Sequence, residues 1–183
     1  TNGRQVCALA GTDLHIWDLA TGRALHKLPQ LVCGEARSLC MTADGKRLAV
    51  CDSEGRIAIV AVADGRLIQT LSDGGAVGDV AFDCTGEFVA KGGTDGVLRT
   101  WALATGRQLA LQLGHAGPIN AVAFGGARML IASAGEDHDL RLWTPFGGRD
   151  HQVLVGHVGM VTRLALPPAG DRLVSVSQDG SLR

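Results

Sequence analysis

Most of the usual signposts to function are missing from this chain. No apolar run approaches the roughly 18 residues that cross a bilayer, and no secretory signal pattern opens it. There is no Cys-x-x-Cys pair, and the cysteines are odd in number: Cys7, Cys33, Cys40, Cys51 and Cys84. That argues against a disulfide framework and for reduced, mostly buried thiols in a cytoplasmic or nuclear protein. The absence of any Asn-x-Ser/Thr sequon agrees. An excess of either charge is lacking too. The formal net charge is -1 with the basic residues dispersed, so bulk electrostatics favour neither a nucleic-acid backbone nor an anionic membrane. The chain starts at Thr1 rather than at a methionine, which predicts a processed or cut N-terminus.

What is present is apolar and periodic. Hydrophobic residues make up 46% of the 183 and charged ones 19%, the balance of a globular chain. Trp17, Val60, Trp101 and Trp143 occupy one position of a repeat, at spacings of 43, 41 and 42 residues. The segments LCMTADGKRLAVCDSEG, VAFDCTGEFVAKGGTDG, VAFGGARMLIASAGEDH and LALPPAGDRLVSVSQDG align without a gap. Five of the seven aromatics (Trp17, Trp101, Trp143, Phe82 and Phe124) fall at two repeat positions. Each unit holds short runs of Val, Leu, Ile and Ala punctuated by Gly, Asp, Thr and Ser, which reads as short strands joined by tight turns. No helical stripe lasts three turns. Even-spaced strands in units of about 42 residues predict an all-β propeller of four-stranded antiparallel blades.

Specific motifs carry a resemblance. Trp17-Asp18 in HIWDLATG, Gly114-His115, Gly156-His157, the turn TADG at 42–45 and the segment VSQDGSLR recur in register. The chain resembles the WD-repeat β-propeller family over nearly its whole length. In this register residues 1–31 form a partial blade, 32–72, 73–113 and 114–155 form full blades, and 156–183 form a second partial blade. That is about four and a half blades. The resemblance implies a ring of more, so the chain is expected to be a fragment of a longer protein whose further blades complete the ring.

The most polar stretch is GEDHDLRLW, residues 135–143. Taken alone it suggests a metal cluster, an acid–base pair or a turn. The resemblance assigns it to a blade's side-chain network of His, Ser or Thr, Asp and Trp. The third unit supplies all four as His115, Ser133, Asp137 and Trp143, and the fourth supplies His157, Ser175 and Asp179. The second keeps Asp95 and Trp101 but has Asp73 and Lys91 in place of His and Ser. The first has Val32, Val50, Glu54 and Val60, so its network is expected to be lost or replaced by apolar packing. Indole, hydroxyl, imidazole and carboxylate can satisfy one another in sequence. His138 takes the turn-tip place held elsewhere by Gly96 and Gly180.

Catalytic readings are weaker. Ser133, His115 and Asp137 match a hydrolase triad in composition, without a nucleophile elbow or oxyanion site. GGTDG at 92–96 and DGG at 73–75 lack the Lys-Ser/Thr of a phosphate loop. His151 and His157 are six apart by coincidence, because His157 has its network role. Arg99, Arg141 and Arg183 recur in the third strand as packed or snorkelling stems. No metal, cofactor or catalytic site is expected.

Function is therefore expected from a surface, as a non-enzymatic scaffold or adaptor for other proteins or peptides. The resemblance places the contact face at the loops before the first strand and after the second. Its rim candidates are Glu35, Arg37, Ser53, Thr94, Pro118, Asn120, Glu136, Met160, Thr162 and Gln178. Mixed charge and scarce aromatics give no sign of a nucleic-acid path, an arginine-clustered phosphopeptide clamp or a methyl-lysine cage. WDLA, WALA and WTPF lack the Trp-Asp-x-Arg of certain ubiquitin-ligase receptors. The alternative is a sensor or regulatory propeller of a multidomain NTPase or kinase.

Overall fold

Middle strands in this protein are covered on both faces, and that dictates the architecture. The computed structural model describes residues 5–125, 130–148, 152–167 and 172–183; the remaining parts of the expected blades, and His151, lie outside the described residues. No helix occurs among them. The first sheet holds β1 (Gln5–Ala10), β2 (Asp13–Asp18) and β3 (Ala24–Leu28) in the order β1-β2-β3. The second holds β4 (Ala36–Met41), β5 (Arg47–Asp52), β6 (Arg56–Ala61) and β7 (Leu67–Ser72). The third holds β8 (Val77–Phe82), β9 (Phe88–Gly93), β10 (Val97–Ala102) and β11 (Arg107–Leu113). The fourth holds β12 (Ile119–Gly125), β13 (Leu130–Gly135), β14 (Leu140–Trp143) and β15 (Gln152–Leu154). β16 (Val161–Ala165) and β17 (Val174–Ser177) pair as a fifth, two-stranded sheet.

Every sheet is an antiparallel meander in chain order. The first strands β4, β8, β12 and β16 lie side by side across successive sheets, so the sheets stack face to face as an arc of blades. The arc is not closed into a ring among the described residues.

The core is accordingly a series of seams. Leu14 and Ile16 of the first sheet meet Leu48, Val50 and Val60 of the second, together with Val32 on the segment that leads into it. Ile57 and Ile59 meet Val80, Phe82, Val89 and Trp101. Leu98 meets Ile119, Ile131 and Trp143, and Ala134 and Leu140 meet Val161. Middle strands such as β5, RLAVCD, are apolar nearly throughout because both faces are covered. At ~25 cal/mol per Å² of apolar surface removed from water, these seams are the main favourable term in folding.

A β-bulge recurs. The first strand of each four-stranded sheet, and of the fifth sheet, slips register at one equivalent place, leaving Arg37, Gly78, Asn120 and Thr162 unpaired. Such a residue bends the strand and re-aims its side chain. Gly78 has a further constraint, because a Cβ there would stand 1.8 Å from the Ile119 carbonyl oxygen of the next blade. Gly78→Ala is expected to push β8 from β12 and cost about 1–3 kcal/mol by overpacking, read as a lowered urea midpoint with an unchanged m-value.

Candidate functional site

The polar residues of the units come together in the seams, and each unit solves the same problem differently. In the third, the His115 ring sits between Asp137 and Ser133. Its Nδ1 lies 2.8 and 2.9 Å from the two Asp137 oxygens, and its Nε2 lies 2.7 Å from Ser133 Oγ. Trp143 Nε1 donates to Ser133 Oγ at 2.8 Å, and the Ala116 N–H donates to Asp137 Oδ2 at 3.0 Å. A neutral imidazole with its proton on Nδ1 satisfies the whole chain: indole to hydroxyl, hydroxyl to Nε2, Nδ1 to carboxylate. Burial pushes His115 below its ordinary pKa against the opposing pull of Asp137. For Asp137, burial works upward, but the Ala116 N–H and the His115 ring outweigh it and hold the carboxyl below its usual range.

The fourth unit repeats the arrangement. His157 Nδ1 lies 2.8 Å from Asp179 Oδ2, Nε2 lies 2.8 Å from Ser175 Oγ, and the Val158 N–H donates to Asp179 at 3.1 Å. Ser181 Oγ adds a 2.7 Å bond to Asp179 Oδ1. That hydroxyl, followed by the His157 ring, lowers the Asp179 pKa well below the usual carboxylate range.

The second unit differs from expectation. Asp95 does not join a chain to Trp101; it takes two bonds from Arg99, at 2.7 and 3.1 Å. Those bonds are the first cause of its lowered pKa. Arg99 also pairs through Nε with Asp73, and Asp73 pairs with Lys91. Lys91 is completely buried, donates to the Gly75 carbonyl at 2.7 Å and stands 6.0 Å from the centre of the Trp101 ring. An ionic quartet of Asp73, Lys91, Arg99 and Asp95 thus replaces the neutral network. Arg99 is one of the recurrent third-strand arginines; ion pairing, rather than snorkelling, explains it.

In the first unit Val32, Val50 and Val60 lie in one buried cluster. Glu54, at the aligned acidic position, is exposed and pairs with Arg56. The turn carboxylate comes instead from Asp52, two residues earlier. Its side chain accepts the Cys33 N–H at 3.3 Å and the N–H groups of Glu54 and Arg56 at 3.0 and 2.9 Å. Cys33 is the counterpart of Ala116 and Val158, so the tie to the start of the blade survives although its residue has moved. The sequence signal was available: Asp52 is a lone carboxylate at the end of an apolar strand.

The rest of GEDHDLRLW divides by position. His138 adopts a left-handed φ of 70° at the turn tip, Asp139 pairs with Arg141 at 3.4 Å, and Glu136 is exposed. Among the described residues no group of three or more His, Cys, Asp or Glu is placed to hold a metal ion.

All ten rim candidates are exposed or half-buried. A recurrent backbone bond involves seven of them: Ser53 donates to Glu35, Glu136 to Pro118 and Gln178 to Met160, and Thr94 donates to Ala76, at 2.8–3.1 Å. Arg37, Asn120 and Thr162 are bulge residues. Asp79 has no place in the repeat pattern, yet it joins three sheets: Ser38 Oγ donates to Oδ1 at 2.6 Å and the Val122 N–H to Oδ2 at 2.9 Å. All five cysteines are free, and burial pushes the Cys7 thiol up to about 11.

With this geometry in hand, a comparison with known families finds a match to the model described as WD domain, G-beta repeat, over residues 65–102, 106–144 and 148–183. The first two matched units each begin just before the outer strand of one sheet and end at the close of the third strand of the next. The chain matches no curated protein.

Two outcomes follow from these networks. Asp137→Ala leaves His115 Nδ1 and the Ala116 N–H without their acceptor and is expected to cost about 1–3 kcal/mol near neutrality. Because the folded pKa is depressed, the carboxylate's contribution is present above about pH 3.9 and lost as pH falls through the folded value. The urea midpoints of variant and wild type should therefore converge in acid. In the second unit, Asp73→Ala strands the buried Lys91 charge and is expected to cost about 3–5 kcal/mol. Adding His at 73 and Ser at 91 together should recover most of that loss in a thermal melt.

Proposed function

Because the chain belongs to the WD-repeat family, whose members generally act as protein-interaction scaffolds, we propose that it is a non-enzymatic scaffold. Its partners are other proteins or peptides, bound through the face carrying Glu35, Arg37, Ser53, Thr94, Pro118, Asn120, Glu136, Met160, Thr162 and Gln178. The observation that carries this reading is the recurrent bond between the turn after each second strand and the residue leading into the first strand. It sets exposed side chains from four blades on one rigid edge, a pre-organised surface that loses little entropy on binding.

The contrast with an enzyme is local. Ser133 is completely buried, and its hydroxyl is engaged by both His115 and Trp143. A nucleophile needs a reachable oxygen and a base free to take its proton. Both His115 nitrogens are occupied within the seam.

Further blades of the parent chain complete the arc in this proposal. Val6 of the first sheet, and Val174 and Val176 of the fifth, are 37–43% exposed, whereas the middle strands between them are sealed. Sheet faces of that kind are covered in repeat folds by the next unit. A cytoplasmic or nuclear setting accords with the five free thiols.

A photo-reactive residue placed at Thr94 or Gln178 is expected to trap a protein partner. The same residue at Gln108, exposed on the outer strand β11, should trap none. Cross-links from Gln108 alone would move the interface to the circumference and defeat the assignment of the face.

A further inference from the structure

The first strands converge on a polar hollow of about 370 Å³. Arg37 and Ser38 of β4, Asp79 of β8, Asn120 of β12, Arg163 of β16 and Leu9 of β1 are among the residues that line it. Arg37 and Arg163 stand three repeats apart in the sequence, which is why no clustering of arginines is visible there. The arc brings them to one cavity.

The charges of this hollow are unequally committed. Both oxygens of Asp79 are occupied, one by Ser38 Oγ and one by the Val122 N–H, so its acceptors serve the blades. Asn120 Nδ2 donates one bond to the Val161 carbonyl at 3.2 Å. Arg163 is exposed and donates to the neighbouring Thr162 carbonyl at 2.8 Å; among the described residues no carboxylate pairs with it. Arg37 pairs with Glu35 at 3.2 Å, but their side chains are 53% and 80% exposed. A pair so open to water contributes little, and Arg37 can exchange Glu35 for another acceptor at small cost.

We propose that this hollow receives an acidic side chain, Asp or Glu, presented by a partner protein. The inference rests on the scaffold reading and names the chemistry of its partner. Guanidinium presents planar forked donors that match a carboxylate edge to edge. Among the described residues the lining carries two arginines against one aspartate, a surplus of one positive charge that a single carboxylate neutralises. A phosphorylated side chain, at about -1.5 to -2, would overshoot that surplus and face the Asp79 charge.

The test is fluorescence anisotropy at low salt with a labelled glycine–serine peptide carrying glutamates, and with its glutamine, lysine and phosphoserine counterparts. The protein is used as the full chain, alongside Arg37→Glu, Arg163→Glu and, as a control, Arg107→Glu on the outer strand. The glutamate peptide should bind at least about tenfold more tightly than the glutamine peptide. Arg37→Glu and Arg163→Glu should each remove about tenfold or more, Arg107→Glu should change nothing, and all three should melt like wild type because these arginines are exposed or half-exposed. Equal binding of glutamate and glutamine peptides, tighter binding of phosphoserine, indifference to Arg163→Glu or no binding of any peptide would each overturn the proposal. A partner still cross-linked at Gln178 by Arg163→Glu would overturn the acidic hollow while leaving the scaffold reading intact.

Discussion

Everything in this arc depends on tying the start of each blade to the turn that follows its second strand. The middle strands are covered on both faces, so a blade holds its place only if its first strand is fixed against its own sheet and its neighbour's. A buried carboxylate makes the tie in three units. Asp52, Asp137 and Asp179 each accept a backbone N–H at the start of their blade, from Cys33, Ala116 and Val158. In the second unit the polarity is reversed: Lys91 donates to the Gly75 carbonyl. The same backbone path is held whether the seam offers an acceptor or a donor.

The two solutions differ in energetic character. A neutral chain of indole, hydroxyl and imidazole buries few charges and gains from mutual satisfaction. The quartet of the second unit takes four charges out of water or partly so, and its attraction must first offset desolvation. Its members are consequently interdependent: Asp73 serves both Lys91 and Arg99, while Arg99 also serves Asp95. Such a blade tolerates coordinated change better than single change. The repeats therefore share a shape without sharing a mechanism of cohesion.

Much of the fold was legible in the sequence, because a spacing near 42 residues and a tryptophan in register constrain strands and turns together. His115, Ser133, Asp137 and Trp143 were legible for the same reason, each type answering the next one's donor or acceptor. The departures have physical causes. Asp52 was missed because alignment follows position, and a turn carboxylate can reach the same N–H from two residues earlier. Asp95 has a different partner from Asp137 because Asp73 stands where the third unit has His115, and Arg99, four residues on, supplies the donors instead. Asp79 and Arg163 were invisible because their significance comes from neighbours on other sheets, which no single repeat contains.

The recurring bulge has one more consequence. A residue skipped by the ladder is one whose identity the ladder does not dictate. Arg37, Asn120 and Thr162 occupy equivalent places yet share no charge, size or shape, whereas Gly78 is held to glycine by the Ile119 carbonyl. Three of these sites are thus variable letters in an otherwise fixed text, although Asn120 and Thr162 each add a bond to a backbone carbonyl. Rewriting them would change what the face says to a visitor while the grammar of the blades stays the same.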